Sequence, residues 1–229
     1  MLCLLGAALL LAVPAFAGVT VGLPPDSGTG NCFPFGCAYS GEYQQVYSQT
    51  QFAGPINILD LEFFNTIVDF GATQMNAGTW TIYLSTTSAD WNTLSNVNAN
   101  NIGANNTLVF KGDLNQPWAF GDTLHINLST PFYYDPSQGN LLMDVVVSGL
   151  TTPGGAIYFD TNGYDFGNFD GNTFLGRVYC NGCFPSGLVN SGYGLVTGFS
   201  TTITPEPGTL VLMGTGLIGL VGAVRRRWL

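Results

Sequence analysis

The segment from Asp160 to Asn172 has the residue types of a site for a hard cation. It carries three aspartates and three asparagines among glycines within thirteen residues. Calcium is bound in proteins by clustered carboxylate and amide oxygens on bent loops. The candidate calcium ligands are Asp160, Asn162, Asp165 and Asp170. Asp, Asn and Gly are also the residues that tight turns require, so a turn-rich connection is the favoured interpretation and a calcium site is the alternative. No other cofactor is expected.

The chain has one histidine, His125, and its surroundings do not predict a catalytic site. In the segment Leu124–Leu128 the apolar residues alternate with His125 and Asn127, which predicts an exposed histidine on the solvent face of a strand. No Gly-x-Ser-x-Gly nucleophile motif occurs in the chain. Glycoside hydrolysis needs two carboxyl groups at a fixed separation, and no such pair is specified. We therefore expect no catalytic residues, and a hydrolase ranks third among the functions considered.

Several aromatic residues could form a sugar-binding platform if they share an exposed face. They are Trp80, Trp91, Trp118, Tyr133 and Tyr134. In β proteins such rings more often pack in the core or across neighbouring strands. Trp118 and the segment from Pro131 to Pro136 are the expected loop-borne members. A carbohydrate-binding module is therefore the alternative to a purely structural body.

The body of the chain reads as a series of short strands separated by turn-forming residues. The candidate strands are Tyr43–Tyr47, Ile56–Phe64, Thr79–Thr86, Thr107–Lys111, Thr123–Ser129, Leu141–Ser148, Ala156–Asp160, Gly176–Cys180 and Gly194–Thr202. Leu141 to Val147 is almost continuously apolar, which predicts a central strand buried on both sides, Asp144 excepted. A single helical turn is expected between Asp90 and Val97. The pattern predicts an all-β fold, an antiparallel β-sandwich of jelly-roll type.

Charge limits the partners of this body. Only 8% of the 229 residues are charged, and three of the five basic residues are Arg225, Arg226 and Arg227. The body, residues 18–203, holds thirteen Asp and Glu against Lys111 and Arg177, a formal charge of −11. A phosphate backbone would be repelled, so nucleic acid is excluded as a partner. Cations and neutral polymers remain compatible with the composition.

The first 17 residues have the features of a secretory signal peptide. An apolar run from Leu2 to Val13 is followed by Pro14 and then by Ala-Phe-Ala, a cleavage signal for signal peptidase. Cleavage would remove Cys3 and leave Cys32, Cys37, Cys180 and Cys183 in an oxidising compartment. The Cys-x4-Cys and Cys-x2-Cys spacings allow tetrahedral zinc, but export favours disulfides. We expect the local pairs Cys32–Cys37 and Cys180–Cys183, with bridges between the two segments as the alternative.

The C-terminal end has the features of a membrane-targeted tail. Pro205, Glu206 and Pro207 precede an uncharged stretch from Gly208 to Val224, and the arginines at 225–227 follow it. As a helix, 17 residues would span about 26 Å, marginal for a hydrocarbon core of about 30 Å. The arginine cluster predicts that the tail ends in the cytoplasm and that the body lies outside. The predicted organisation is a signal peptide (1–17), an extracytoplasmic domain (18–203) and a tail with one transmembrane helix (204–229).

This order of elements resembles the PEP-CTERM sorting signal. The resemblance covers residues 204 to 229 and implies processing by exosortase, a membrane-embedded transpeptidase of bacteria that make extracellular polysaccharide. It also implies that the body has a surface or matrix role and that extracellular polysaccharide is a candidate partner. A similar tail is attached to some ice-binding proteins, which makes an ice-binding-type adhesin a further alternative. The chain has no repeat of fixed period, which counts against the flat solenoid face that such proteins use.

Together these features predict an exported, non-enzymatic protein with a structural or interaction role. We expect the C-terminal helix to hold it in the inner membrane until its tail is cut near residues 205–207. The mature protein would then reside at the cell surface or outside the cell. The expected processing partners are signal peptidase and exosortase.

Overall fold

The computed structural model describes residues 18–203, except 27, 153, 164–171 and 182–185. Within these residues the chain forms strands joined by turns and three short 3-10 helices, at Gln49–Gln51, Asn98–Asn100 and Pro136–Gln138. The strands are β1 (Val19–Val21), β2 (Gly30–Asn31), β3 (Gly41–Tyr47), β4 (Ile56–Phe64), β5 (Ala77–Thr87), β6 (Thr107–Gly112), β7 (Thr123–Tyr134), β8 (Asn140–Thr151), β9 (Phe159–Asn162), β10 (Leu175–Asn181), β11 (Leu188–Ser191), β12 (Gly194–Leu195) and β13 (Thr197–Ile203).

The strands form three sheets in which every described pairing is antiparallel. A six-stranded sheet has the order β11-β10-β3-β8-β5-β6, and a four-stranded sheet has the order β1-β13-β4-β7. A small third sheet has the order β12-β9-β2. The prediction of an antiparallel all-β fold is confirmed. The jelly-roll topology is not confirmed, because these orders differ from two sheets of four strands each.

The two larger sheets share one hydrophobic core. Their inner faces supply apolar residues that are fully buried, among them Tyr43, Tyr47, Trp80, Ile82, Met143, Val145, Ile58, Leu61, Phe63 and Leu124. Aromatic rings pack between the sheets. Tyr47 of β3 contacts Phe199 of β13 edge to face, with ring centroids 5.1 Å apart. Phe35, from the loop after β2, packs against Phe63 in a tilted arrangement with ring centroids 4.6 Å apart. The alternation of inward apolar residues along each strand therefore builds a single core.

The outer face of the six-stranded sheet is covered by the loop between β5 and β6. Leu94 of this loop packs with Val46 and Leu142 in a second apolar cluster. β8 lies between β3 and β5, so the predicted central strand is confirmed. Asp144 is only 4% exposed, so the residue that we excepted from burial is buried as well. The loop that buries it could not be placed from strand periodicity.

The expected helical turn between Asp90 and Val97 is not where the 3-10 helix forms. That helix lies at Asn98–Asn100. Side chains shape the loop before it, because Asn101 Oδ1 accepts from the Ser95 amide at 2.8 Å. Such side-chain bonds to the backbone compete with helical hydrogen bonds, which favours an irregular loop.

The first predicted disulfide is confirmed, since Cys32 and Cys37 are bonded within a short loop. Cys180 is buried on β10, and Cys183 lies outside the described residues, so the second local pair stays a prediction. The first bridge closes a loop whose Pro34 carbonyl accepts from Trp80 Nε1 at 3.2 Å. The bridged loop is thereby fixed to the core.

Both ends of the chain lie outside the described residues, and so the predicted signal peptide and transmembrane helix stay predictions. Within the described part of the chain, no helix has the length and apolar character needed to cross a membrane.

Candidate functional site

Two neighbouring strands of the four-stranded sheet carry three titratable side chains on its outer face. β4 and β7 pair with Glu62 opposite His125 and with Asp60 opposite Asn127. Leu61, which separates the two acidic residues, is fully buried in the core. Because successive side chains of a strand point to opposite faces, Asp60 and Glu62 both lie on the face away from the core. We call Asp60, Glu62 and His125 the outer-face triad.

A bulge in β4 makes this placement possible. Ile58 and Leu61 are both fully buried, although an odd spacing of three would put them on opposite faces of a regular strand. Against β13, β4 advances two residues from Ile58 to Asp60 while β13 advances one, from Thr201 to Ser200, so β4 holds an extra residue here. A bulge of this kind re-aims the side chains that follow it. It brings Asp60 to the outer face beside Glu62.

The outer-face triad is held by short polar contacts. His125 Nδ1 lies 2.9 Å from Asp60 Oδ2 and 3.9 Å from Glu62 Oε1. Ser200 of β13 donates a hydrogen bond from Oγ to Glu62 Oε1 at 2.5 Å. The side chains of His125, Glu62 and Asp60 are 54%, 23% and 10% exposed, respectively. The histidine therefore forms the solvent side of the group, and Asp60 forms its base.

Burial raises the pKa of Asp60 above its usual value, and the hydrogen bond with His125 opposes that shift. Asp60 Oδ1 is buried and has no hydrogen-bond partner among the described residues. The Ser200 hydroxyl donates to Glu62 rather than to His125, so the contacts do not follow the serine–histidine–aspartate order of a hydrolase. In the described part of the chain, the triad is a group of His and acidic side chains whose ligand atoms all lie within 4.8 Å. Its chemistry fits cation binding better than nucleophilic attack.

The sequence reasoning placed His125 on the solvent face but missed Asp60 and Glu62 as its neighbours. The signal for each residue was present, because each is a polar residue within an alternating strand pattern. The sequence carried no signal for the pairing of β4 with β7, because this pairing joins segments about 60 residues apart. Alternation predicts the face on which a side chain lies but does not predict its cross-strand neighbour.

A second polar group lies beneath the β5–β6 loop. Gln44 faces Asp144 across β3 and β8 and donates from Nε2 to Glu42 Oε1 at 3.3 Å and to the Asn98 carbonyl at 3.2 Å. Asn101 Nδ2 donates to Gln44 Oε1 at 2.9 Å. Burial, together with the neighbouring Glu42 carboxylate, raises the pKa of Asp144 to about 8. This polar group connects the loop to the sheet. Asp144 is only 4% exposed, so it is inaccessible to a polymer substrate.

The predicted calcium ligands are only partly within the described residues. Asp160 is 2% exposed, and its carboxylate accepts from the Thr66 amide at 2.8 Å and the Thr66 hydroxyl at 2.6 Å. Asn162 Nδ2 donates to the Pro24 carbonyl at 3.0 Å. Asp165 and Asp170 lie outside the described residues, as do the sorting residues Pro205, Glu206 and Pro207 and the arginines at 225–227. In the described part, Asp160 and Asn162 join segments of the fold, and the calcium site stays a prediction.

The five aromatic residues do not form one exposed platform. Trp80, Trp118 and Tyr134 are buried, and Trp91 packs against the apolar cluster under the β5–β6 loop. Trp118, which we expected on a loop surface, donates from Nε1 to Asn65 Oδ1 at 3.1 Å inside the protein. Tyr133 is 54% exposed. Core packing explains most of these rings, as is common in β proteins.

Tyr133 borders an open surface depression with a volume of about 370 Å³. The lining residues are Thr86, Ala104, Asn105, Tyr133, Asp135 and Gln138. Asn105 is held in place, because its Oδ1 accepts from the Thr86 amide at 2.7 Å. One ring edged by amide and carboxyl groups suits a polar, uncharged ligand such as a sugar.

Comparison with known proteins identifies the tail. Residues 204–227 match the PEP-CTERM protein-sorting motif. No curated protein and no solved structure matches the chain. The match confirms the resemblance drawn from the Pro-Glu-Pro sequence and the arginine cluster, and it indicates an exported protein that exosortase recognises.

Proposed function

We propose that this chain is a bacterial cell-surface or matrix protein that exosortase cleaves at its tail, with a non-enzymatic body that acts as a structural or interaction module. The observation that carries the proposal is the PEP-CTERM motif at residues 204–227. The motif's apolar stretch, Gly208 to Val224, is rich in glycine and has 17 residues. A helix of this length is about 26 Å long, short for a core of about 30 Å. Such a segment is better suited to recognition and cutting within the membrane than to permanent anchoring.

The residues before the stretch suit a protease substrate. Pro205 and Pro207 fix φ and disfavour helix at the preceding residues, which keeps the backbone extended. Within the tail from residue 204, Glu206 is the only charged residue before the arginines. A basic or hydrogen-bonding pocket in the enzyme would bind the Glu206 carboxylate just outside the bilayer.

Replacement of Glu206 with alanine should block processing while export and folding persist. We expect the Glu206→Ala protein to accumulate in the membrane fraction with its tail intact, because the enzyme has lost its charged recognition group. Thr209→Ala, three residues further along, is the matched control and should be processed like the wild type. Membrane fractionation and intact-mass measurement check the result. Normal processing of Glu206→Ala would refute a recognition role for this residue.

The non-enzymatic assignment of the body is supported by its polar groups. Ser200 contacts Glu62 instead of His125, and Asp144 is buried beneath a loop. A body with a formal charge of −11 is soluble and suits neutral polymers or cations outside the cell.

Carbohydrate binding at Tyr133 is the second candidate function. The observation that favours it is the exposed ring beside Asn105, Asp135 and Gln138 in the surface depression. Stacking of a sugar on Tyr133 would be combined with hydrogen bonds to the amide groups. The ligand class is a neutral polysaccharide, because the body is acidic.

Removal of this ring gives a direct test. Tyr133→Ala should weaken binding to a neutral polysaccharide at least tenfold, and Phe120→Ala should leave it unchanged. Phe120 is a matched control because this aromatic residue is 48% exposed and does not line the depression. A glycan array followed by affinity electrophoresis measures the difference. Equal binding by both variants would contradict a sugar site at Tyr133.

A further inference from the structure

We propose that Asp60, Glu62 and His125 bind a divalent transition-metal ion of the zinc class on the outer face of the four-stranded sheet. This site is separate from the sorting tail and from the depression at Tyr133. Neither the matched motif nor the proposed surface role assigns a metal to the body.

The spacing of the three ligand atoms suits such an ion. Zinc is bound by imidazole nitrogen and carboxylate oxygen at about 2.0–2.2 Å, which puts tetrahedral ligand atoms about 3.4 Å apart. His125 Nδ1 lies 2.9 Å from Asp60 Oδ2 and 3.9 Å from Glu62 Oε1, and all three ligand atoms lie within 4.8 Å of one another. Shifts of a few tenths of an ångström to about an ångström would close the site. Two of the ligands are on one strand and the third is directly across from it, so the backbone already holds them together.

The base of the site independently points to a cation. The Asp60 side chain is 10% exposed, and its Oδ1 has no hydrogen-bond partner among the described residues. A buried acceptor left in this state destabilises the fold. A cation seated on the Asp60 carboxylate would compensate for part of that destabilisation. The body's formal charge of −11 adds a field that draws cations to it.

The surrounding contacts complete the arrangement expected of a metal site. Ser200 Oγ donates to Glu62 Oε1 at 2.5 Å and thus orients this ligand from the neighbouring strand. His125 is 54% exposed, so the ion would keep an open position toward solvent. Calcium is disfavoured, because it takes six to eight oxygen ligands and this site offers a nitrogen and two carboxylates. The ion would need His125 Nδ1 unprotonated, with the ring proton at Nε2.

Zinc titration of the full-length protein tests the site. His125 is the only histidine, so the single set of imidazole resonances in a proton–nitrogen spectrum reports on this position alone. We expect one equivalent of Zn²⁺ to bind by calorimetry and to shift those resonances, with excess Ca²⁺ failing to displace it. His125→Ala and Glu62→Gln should each weaken binding at least tenfold. Asp113→Asn, which changes charge by the same amount at an exposed turn, should bind as the wild type does.

Thermal unfolding checks that the variants are folded. If His125→Ala does not fold, the isosteric variant Glu62→Gln still tests the site. The proposal is overturned if the wild type takes up no Zn²⁺, if the imidazole resonances do not move on binding, or if Glu62→Gln binds as tightly as Asp113→Asn. Displacement of Zn²⁺ by Ca²⁺ would also overturn the assignment to the zinc class.

Discussion

Replacement of Asp144 with asparagine should make the protein more stable at alkaline pH and should flatten the pH dependence of its stability. The pKa of Asp144 is raised to about 8 in the fold by burial and by the Glu42 carboxylate, whereas an unfolded aspartate titrates near 3.9. Between these values the folded state binds the proton and the unfolded state does not. Stability therefore falls as pH rises from about 4 to about 8 and levels off above that range.

Each unit of pKa difference corresponds to about 1.4 kcal/mol, so the loss from this group across the window is at most about 6 kcal/mol. Asparagine has the shape of aspartic acid and carries no charge, and its amide can donate to Glu42 as the protonated acid does. We expect the free energy of unfolding of Asp144→Asn, from urea denaturation, to exceed that of the wild type by an amount that grows from about pH 5 to about pH 8 and then levels off.

The exposed residue Asp113 supplies the matched control for this series. Asp113→Asn removes the same charge at a turn, and its effect should change little over the same pH range. A gap between Asp144→Asn and the wild type that does not widen with pH would show that Asp144 is not a protonated acid in the folded protein at neutral pH.

Truncation of Trp80 to alanine should cost about 3–5 kcal/mol of unfolding free energy, as for other large buried side chains. Its ring is fully buried on the inner face of β5, and its Nε1 donates to the Pro34 carbonyl at 3.2 Å. The substitution leaves a cavity between the sheets and releases the loop closed by Cys32 and Cys37. Chemical denaturation of the oxidised protein measures the effect.

Trp91 gives the comparison for this truncation, because it is partly exposed on the β5–β6 loop and lies outside the main core cluster. Trp91→Ala should cost less than half as much as Trp80→Ala. Equal losses at the two positions would mean that the inner faces of the sheets do not form the dominant core.

Alternation along the chain predicted most of the strands but not their limits or their order. Ile56–Phe64 was predicted with the bounds that β4 has, because its apolar residues alternate across a half-buried strand. The predicted strand Gly194–Thr202 is divided at Val196, and the short strands β1, β2 and β11 were missed. Strands of two to four residues carry too few alternations to stand out. Their pairing depends on contacts that are remote in sequence.

The outer-face triad shows the same limit at the level of a site. Each member could be recognised from the sequence as a polar residue in a strand. Their proximity, however, depends on the bulge before Asp60 and on the register between β4 and β7. Asp144 was recognised as an exception within an apolar strand, yet its burial depends on a loop with no periodic pattern. The sorting motif of the tail could be recognised from the sequence, because its signal is a local order of residue types and needs no tertiary contact.

The central claim, that exosortase removes the tail, is tested most directly by the intact mass of the mature protein. The protein should be isolated from the surface or medium of a host that has exosortase and from the membrane of the same host with the enzyme deleted. The account predicts a C-terminus near residues 205–207 in the first case and at Leu229 in the second. A surface or released protein that still ends at Leu229 in the presence of exosortase would contradict it.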